Sequence, residues 1–288
     1  VGSQIFDSDF LRKLEQLVIS AGITLADGSS GNRKSRAKGS SVEFSDYREY
    51  SIGDDFKRID WNAYGRFEKL FIKLFMEERE APVQIFLDTS KSMDWGEPNK
   101  SIAARRLAAA LSYISLANYD TVSLACMTDK TELTRNSLRG KNSFAEVLNI
   151  LEGLEFGGNT DIYNAISKYN MKMGKGISIV ISDFFSNGNI LDMINYLKYR
   201  RQEVYLCQVL SPQEIEPELN VSLRLIDSET GEHKDVTASP LLIRTYKKVF
   251  NRFIDDIEEK CIVRGVYFIK MDTSMPVEYM IKMVVNGT

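Results

Sequence analysis

Asp88-Thr89-Ser90-Lys91-Ser92 places a carboxylate and two hydroxyls directly after the apolar run Pro82-Val83-Gln84-Ile85-Phe86-Leu87. Oxygens of this kind suit a small hard cation, since Mg²⁺ takes about six of them at roughly 2.0–2.1 Å and sheds its waters reluctantly. Two later segments offer the same chemistry. Gly157-Gly158-Asn159-Thr160-Asp161 opens a helical pattern, and Ile179-Val180-Ile181-Ser182-Asp183 ends an apolar strand on an acid. Ligands of open α/β sheets sit beyond the carboxyl ends of the strands, so Asp88, Ser90, Ser92, Thr160 and Asp183 are expected to converge there as metal ligands. The alternation of Ser90 and Ser92 turns both hydroxyls to one side of an extended loop, with Lys91 pointing away. Only two of these five side chains carry charge, which leaves a bound dication under-neutralised and a position open to water or to a partner's carboxylate. Taken singly, each segment has a plainer use as a helix cap or an Asx or Ser turn. Their order and context favour the metal. The expected ion is Mg²⁺, with Mn²⁺ or Ca²⁺ as alternatives.

The elements that must position these residues follow from periodicity. Pro82 to Leu87 is short, β-branched and aromatic, as a buried strand should be. After it, helices are expected over Lys100–Asn118, Ser143–Leu154, Asp161–Met171, Ile190–Arg201, Pro240–Lys260 and Pro276–Val285. Strands are expected over Thr121–Met127, Ile177–Asp183, Val204–Leu210 and Val266–Met271. Alternation of this kind predicts an α/β fold, a doubly wound and mainly parallel sheet covered by helices on both faces. Val221–Asp227 and His233–Thr237 flank a polar turn and predict an inserted edge hairpin within about residues 213–239. Upstream, a helix from Asp9 to Ala21 would bury Phe10, Leu11, Leu14, Leu17 and Val18, and Lys69–Phe75 reads as a strand. The division expected is an extension over residues 1–80, β-containing, ahead of the α/β domain over 81–288.

Composition narrows the function class. The chain has 288 residues, 43% of them hydrophobic, enough for a substantial core. No stretch reaches the ~20 apolar residues of a membrane helix and no secretory leader is evident, so a cytoplasmic protein with no membrane span is expected. Cys126, Cys207 and Cys261 are far apart and lie mostly in apolar surroundings, as reduced core thiols would. A net charge of −3 argues against nucleic acid as the partner. The basic loop Arg33, Lys34, Arg36 and Lys38 reads as a solvated segment. Enzyme signatures are wanting. A magnesium phosphotransferase of the haloacid dehalogenase type needs a second Asp two residues after the first, where this chain has Ser90, and the one histidine, His233, falls in the polar hairpin. Neither Gly-x-x-x-x-Gly-Lys-Ser/Thr nor Gly-x-Gly-x-x-Gly is present.

The order Asp-x-Ser-x-Ser, Thr, Asp at Asp88, Ser90, Ser92, Thr160 and Asp183 resembles the metal-ion-dependent adhesion site of von Willebrand factor type A domains. The resemblance implies a Rossmann-like fold in which the two serines and the threonine bind the metal, the aspartates act directly or through water, and an acidic residue of a protein partner completes the shell. A second constellation, Val42-Glu43-Phe44, Gly53-Asp54-Asp55, Arg58-Ile59-Asp60-Trp61 and Arg66, is similar to the signature of the bacterial family known as domain of unknown function 58. That resemblance implies a partner of the MoxR-type AAA+ ATPase class and a role in assembly or maturation of other proteins. Alternating acids and arginines around aromatics suit a salt-bridged turn. Arg48, Arg58 and Arg66 could alternatively grip a carboxylate or phosphate, which would make the chain a structural adaptor binding through its signature. The reading expected is a non-enzymatic, metal-dependent interaction module, with a magnesium phosphatase as the remoter alternative.

Overall fold

The computed structural model describes residues 5–16, 43–51, 54, 56, 59–76, 82–127, 133–159, 161–169, 171, 173–185, 189–217, 222–226, 233–237 and 239–287. By their contacts they fall into two compact units, one over residues 28–80 and one joining 1–27 to 81–288. In chain order, the first elements are α1 (residues 8–16), β1 (Glu43–Glu49), α2 (Trp61–Phe67) and β2 (Phe71–Met76). Next come β3 (Pro82–Asp88), α3 (Lys100–Ala117), β4 (Thr121–Met127), β5 (Leu133–Leu138), α4 (Phe144–Glu152), α5 (Ile162–Lys168), β6 (Gly176–Ser182), α6 (Ile190–Tyr199) and β7 (Gln202–Leu210). The chain continues with α7 (Pro212–Ile215), β8 (Ser222–Ile226), β9 (His233–Thr237), α8 (Pro240–Val263), β10 (Tyr267–Asp272) and α9 (Val277–Asn286).

The large unit is built on a six-stranded sheet in the order β10-β7-β6-β3-β4-β5. Every pairing is parallel except that of β4 with β5. This is the doubly wound, mainly parallel α/β arrangement expected from the alternation of patterns. Strand residues sort by face. Val83, Ile85 and Leu87 join a core with Phe10 and Leu14 of α1, Leu107 of α3, Leu151 of α4 and Ile281 of α9. Phe86 and Val180 face the other way, onto Ile166 of α5, Leu197 of α6 and Ile257 of α8. Both sheet faces are therefore dry, which is why β3 and β6 read as near-continuous apolar runs. α3 lies on the first face through Ala104, Ala108 and Leu107, all fully buried.

The helix α1, grouped by the sequence reading with the extension, belongs to the large unit and buries Phe10 and Leu14 there, beside Phe6 just ahead of it. The Arg106 guanidinium ties it down by donating to the Ile5 carbonyl at 2.8 Å. The remainder of the expected Asp9–Ala21 helix lies outside the described residues. β8 and β9 pair antiparallel, as the hairpin pattern predicts, but they form a two-stranded sheet of their own and do not extend the edge of the six-stranded sheet. The three cysteines are free and buried, and burial pushes the Cys126 and Cys261 thiols up to about 12. Among the described residues, no helix is long and apolar enough to cross a membrane.

In the small unit β1 and β2 form an antiparallel pair with an irregularity between Phe44 and Asp46. The described part of the Arg/Asp signature is used on structure. Buried Asp60 caps α2, its Oδ1 accepting from the Asn62 and Ala63 N–H groups, while its Oδ2 accepts from the Tyr47 hydroxyl at 2.8 Å. Arg48 donates to Asp54 at 2.8 Å, and Asp54 also accepts from the Ser51 N–H at 2.9 Å. Gly53, Asp55 and Arg58 lie outside the described residues.

Candidate metal centre

β3 and β6 are parallel neighbours, with Leu87 paired to Ile181, although far apart in the chain. From β3 the chain proceeds to β4 on one side, and it returns past β3 to lay β6 on the other. Their carboxyl ends thus flank the point where the winding reverses, the usual ligand crevice of an open α/β sheet. Asp88 and Asp183 stand at this edge, each only 1% exposed. The strand pairing is locked by side chains as well: the Ser182 hydroxyl donates to Asp88 Oδ2 at 2.6 Å and accepts from the Phe184 N–H at 2.8 Å.

The loop after β3 brings Ser90 and Ser92 together, their hydroxyl oxygens lying 3.0 Å apart. It does so by a route the sequence reading did not anticipate. The loop is not extended: Lys91–Met93 is a 3-10 turn with Ser90 at its N-cap position. Asp88 Oδ1 accepts from the Ser90 N–H at 2.9 Å, and wholly buried Met93 anchors the turn in the core. The Thr89 hydroxyl donates to the Met127 carbonyl at 2.8 Å and fixes the base of the loop to β4. Thr160 lies outside the described residues. The segment before it is laced to the same loop, with the Gly157 N–H donating to the Thr89 carbonyl at 2.9 Å and the Lys91 N–H to the Gly158 carbonyl at 3.0 Å. Gly158 holds φ +71, a left-handed conformation that suits glycine. Asp161 caps α5, accepting from the Asn164 N–H at 3.0 Å.

The Asp183 carboxylate has two partners. Oδ1 accepts from the Phe185 N–H at 3.0 Å, and Oδ2 accepts from the Lys100 ammonium at 2.8 Å. The same ammonium donates to Glu214 Oε1 at 2.6 Å, and Glu214 is held by the Ser211 N–H and hydroxyl on its Oε2. Trp95 and Phe185 lie over Lys100, their ring centres 6.0 and 5.7 Å from its nitrogen. Gln208 donates from Nε2 to the Asp183 carbonyl at 3.0 Å.

Three carboxylates against one ammonium leave this linked, largely buried cluster with two negative charges. Its electrostatics register the excess. Burial first, and the Asp183 charge second, push the Asp88 carboxyl up to about 6, against hydrogen bonds from Ser182 and Ser90 that pull it down. A dication would neutralise the cluster. Among the described residues no group of three or more His, Cys, Asp or Glu side chains is placed to hold a metal, so an ion here would rely on the Ser90 and Ser92 hydroxyls beside the carboxylates. Such a donor set is hard and oxygen-only, and it fits Mg²⁺ rather than zinc or copper.

Of the sequence-expected ligands, the structure brings Asp88, Ser90, Ser92 and Asp183 to one strand edge. Ser182, Lys100 and Glu214 were not singled out from sequence. A lysine in the first turn of an Ala-rich helix, at the end where the helix dipole disfavours a cation, was the available signal for Lys100.

Comparison with known proteins supports the resemblance to the domain of unknown function 58 family. Residues 46–252 match the model of the family described as "Protein of unknown function DUF58". "Uncharacterized protein Rv1480" of Mycobacterium tuberculosis is 24% identical over 203 residues, which make up 68% of this chain and 63% of that protein. "Uncharacterized protein Mb1516" of Mycobacterium bovis matches to the same extent, so the chain spans less than two thirds of the length of these relatives. Among solved structures, the conserved hypothetical protein BatB from Bacteroides thetaiotaomicron aligns with a TM-score of 0.44 at 16% identity, covering 72% of this chain and 96% of that one. The SpRpn10 VWA domain aligns with a TM-score of 0.41 at 10% identity, covering 72% and 94%.

Proposed function

This chain belongs to the DUF58 family, and we propose that it is a protein-interaction module whose cradle at the β3–β6 edge holds a divalent cation, most simply Mg²⁺, to grip an acidic side chain of a partner protein. One observation supports this above all. Asp88, Ser90, Ser92 and Asp183 gather at the switch point of the sheet in a cluster that carries two uncompensated negative charges. When bound there, the cation supplies a concentrated positive charge that accepts a visiting carboxylate.

The chain's own residues divide the work. Ser90 and Ser92 would offer neutral oxygens, which leave the ion's charge unspent, and Asp88 and Asp183 hold the negative potential that attracts it. Ser182 fixes Asp88, and the Phe185 N–H with Lys100 fixes Asp183. Half-exposed Trp95 and Phe185 supply an apolar rim beside the charge, a surface that a partner can cover with its own apolar side chains. No second carboxylate stands two residues after Asp88 to move a proton, and the reading is therefore non-enzymatic. The pairing of Arg48 with Asp54 and the capping by Asp60 favour a structural use of the signature over an adaptor that binds through its arginines.

By the family resemblance the partner class is a MoxR-type AAA+ ATPase, and the process is assembly or maturation of other proteins, in the cytoplasm. The test is a binding measurement between purified chain and a MoxR-type AAA+ ATPase, with Mg²⁺ and with EDTA. Binding should need the metal and should be lost in Asp88→Ala and Ser90→Ala. Equal binding by parent and variants, with and without chelator, overturns the reading.

A further inference from the structure

The cradle carries a cation of its own. Lys100 is 1% exposed, and its ammonium is shared between Asp183 Oδ2 and Glu214 Oε1. Stability alone is a poor account of it. A fully buried lysine loses its hydration, the pairing of buried charges returns little net free energy, and the first turn of a helix is the wrong end for a positive charge. What its position does achieve is specific: it occupies one oxygen of a carboxylate that would otherwise turn wholly to a dication.

We propose that Lys100 is a specificity-determining residue of the metal cradle, a built-in monocation that withholds Asp183 Oδ2 and so lowers affinity for dications and disfavours Ca²⁺. The inference rests on the metal reading above. Ca²⁺ takes six to eight oxygens and uses bidentate carboxylates readily, whereas Mg²⁺ accepts fewer protein ligands and keeps waters; affinity in both cases follows the count of ligand charges. With Lys100 in place the linked cluster presents two net negative charges and Asp183 has one oxygen engaged. Without the ammonium it would present three, and Asp183 Oδ2 would be free. Glu214 works in the opposite sense. It draws the ammonium toward α7 and contributes a negative charge of its own, held there by the Ser211 N–H and hydroxyl.

The two residues make opposite predictions, which separates an effect of charge from damage to the fold. Full-length parent, Lys100→Met and Glu214→Gln are stripped with EDTA, dialysed, and titrated with MgCl₂ and with CaCl₂ by calorimetry, with circular dichroism to verify folding. Lys100→Met should bind Ca²⁺ at least about tenfold more tightly than the parent, and Mg²⁺ by a smaller factor. Glu214→Gln should bind both ions about threefold or more weakly. General disruption weakens binding in both variants and cannot produce the gain. If Lys100→Met binds Ca²⁺ no more tightly than the parent, the role given to Lys100 is wrong while the cradle stands. Should Lys100→Met not fold, unchanged or tighter binding by Glu214→Gln overturns the proposal by itself. A parent chain that binds neither ion, with Ser90→Ala giving the same blank titration, overturns the cradle and this inference with it.

Discussion

Replacing Asp88 by asparagine should make the metal-free protein more stable at neutral pH, the reverse of what loss of a buried, hydrogen-bonded side chain ordinarily does. The Asp88 carboxyl is raised from its ordinary 3.8 to about 6 by burial and by the neighbouring Asp183 charge. The folded state therefore binds this proton more tightly than the unfolded chain does. Its contribution to stability is complete below about pH 4, falls as the pH rises toward 6, and stays lost above that. The interval corresponds to about 3 kcal/mol. An asparagine in this place would carry no charge and escape this penalty, but one acceptor becomes a donor and the Ser182 hydroxyl must turn to receive it, at a cost of about 1 kcal/mol. The net gain expected in EDTA at pH 7.5 is about 2 kcal/mol, or about 3–4 °C in Tm for a chain of this size. At pH 4 the advantage should vanish or reverse. The assay is thermal melting followed by tryptophan fluorescence in a Trp61→Phe background, which leaves Trp95, beside Lys100, as the reporter. Mg²⁺ should then raise the Tm of the parent and leave the asparagine variant unmoved. An Asp88→Asn protein that is less stable than the parent in EDTA at every pH from 4 to 8 would refute the reasoning.

Ser182→Ala should destabilise the EDTA-treated protein by about 1.5–3 kcal/mol at pH 7.5, since Asp88 Oδ2 loses its donor while charged, and by less at pH 4.5 where Asp88 is protonated; urea unfolding at the two pH values checks this, and equal losses count against it. Gly96→Ala should destabilise by about 2–4 kcal/mol, because Gly96 has φ +91 and a Cβ there would stand 2.4 Å from Ser211 Cβ. Its Tm should drop, and so, on the proposed metal reading, should Mg²⁺ affinity, since Ser211 clasps Glu214. Asp60→Ala should remove the cap of α2 and the Tyr47 bond together, a loss of about 1–2 kcal/mol confined to the small unit. Hydrogen exchange should speed at Asn62 and Ala63 with no change in β3 or β6; protection unchanged at those two amides speaks against the cap.

The fold was legible wherever burial on two faces leaves a continuous apolar run. β3 and β6 are of this kind, and their sequences could hardly be other than central parallel strands. β5 escaped notice for the converse reason. Leu133-Thr134-Arg135-Asn136-Ser137-Leu138 sits at the sheet's edge, paired on one side only, and needs no apolar run. α2 was missed because it buries none of its residues, so no 3.6-residue stripe marks it; Asp60 as its cap was the readable trace.

The clustering of the candidate ligands was legible in the sequence, and the charge around them was not. Asp88, Ser90 and Ser92 are adjacent in the chain, and Asp183 ends a strand that could be foreseen to lie nearby, so type and spacing sufficed to propose them. Lys100 lies 83 residues from Asp183 and 114 from Glu214, and no local pattern ties either Lys100 or Glu214 to the cradle. Ser90 and Ser92 met as expected although the backbone between them is a 3-10 turn, because the Asp88 carboxylate pulls in the Ser90 amide and Met93 pins the turn below. On the metal reading proposed above, the affinity and choice of ion would follow from this longer-range part. Two hydroxyls and two aspartates would describe many oxygen sites alike; an ammonium bound to one of those aspartates, and braced by a glutamate from beyond β7, would set how much negative charge the cradle offers and how far Asp183 turns toward an incoming ion.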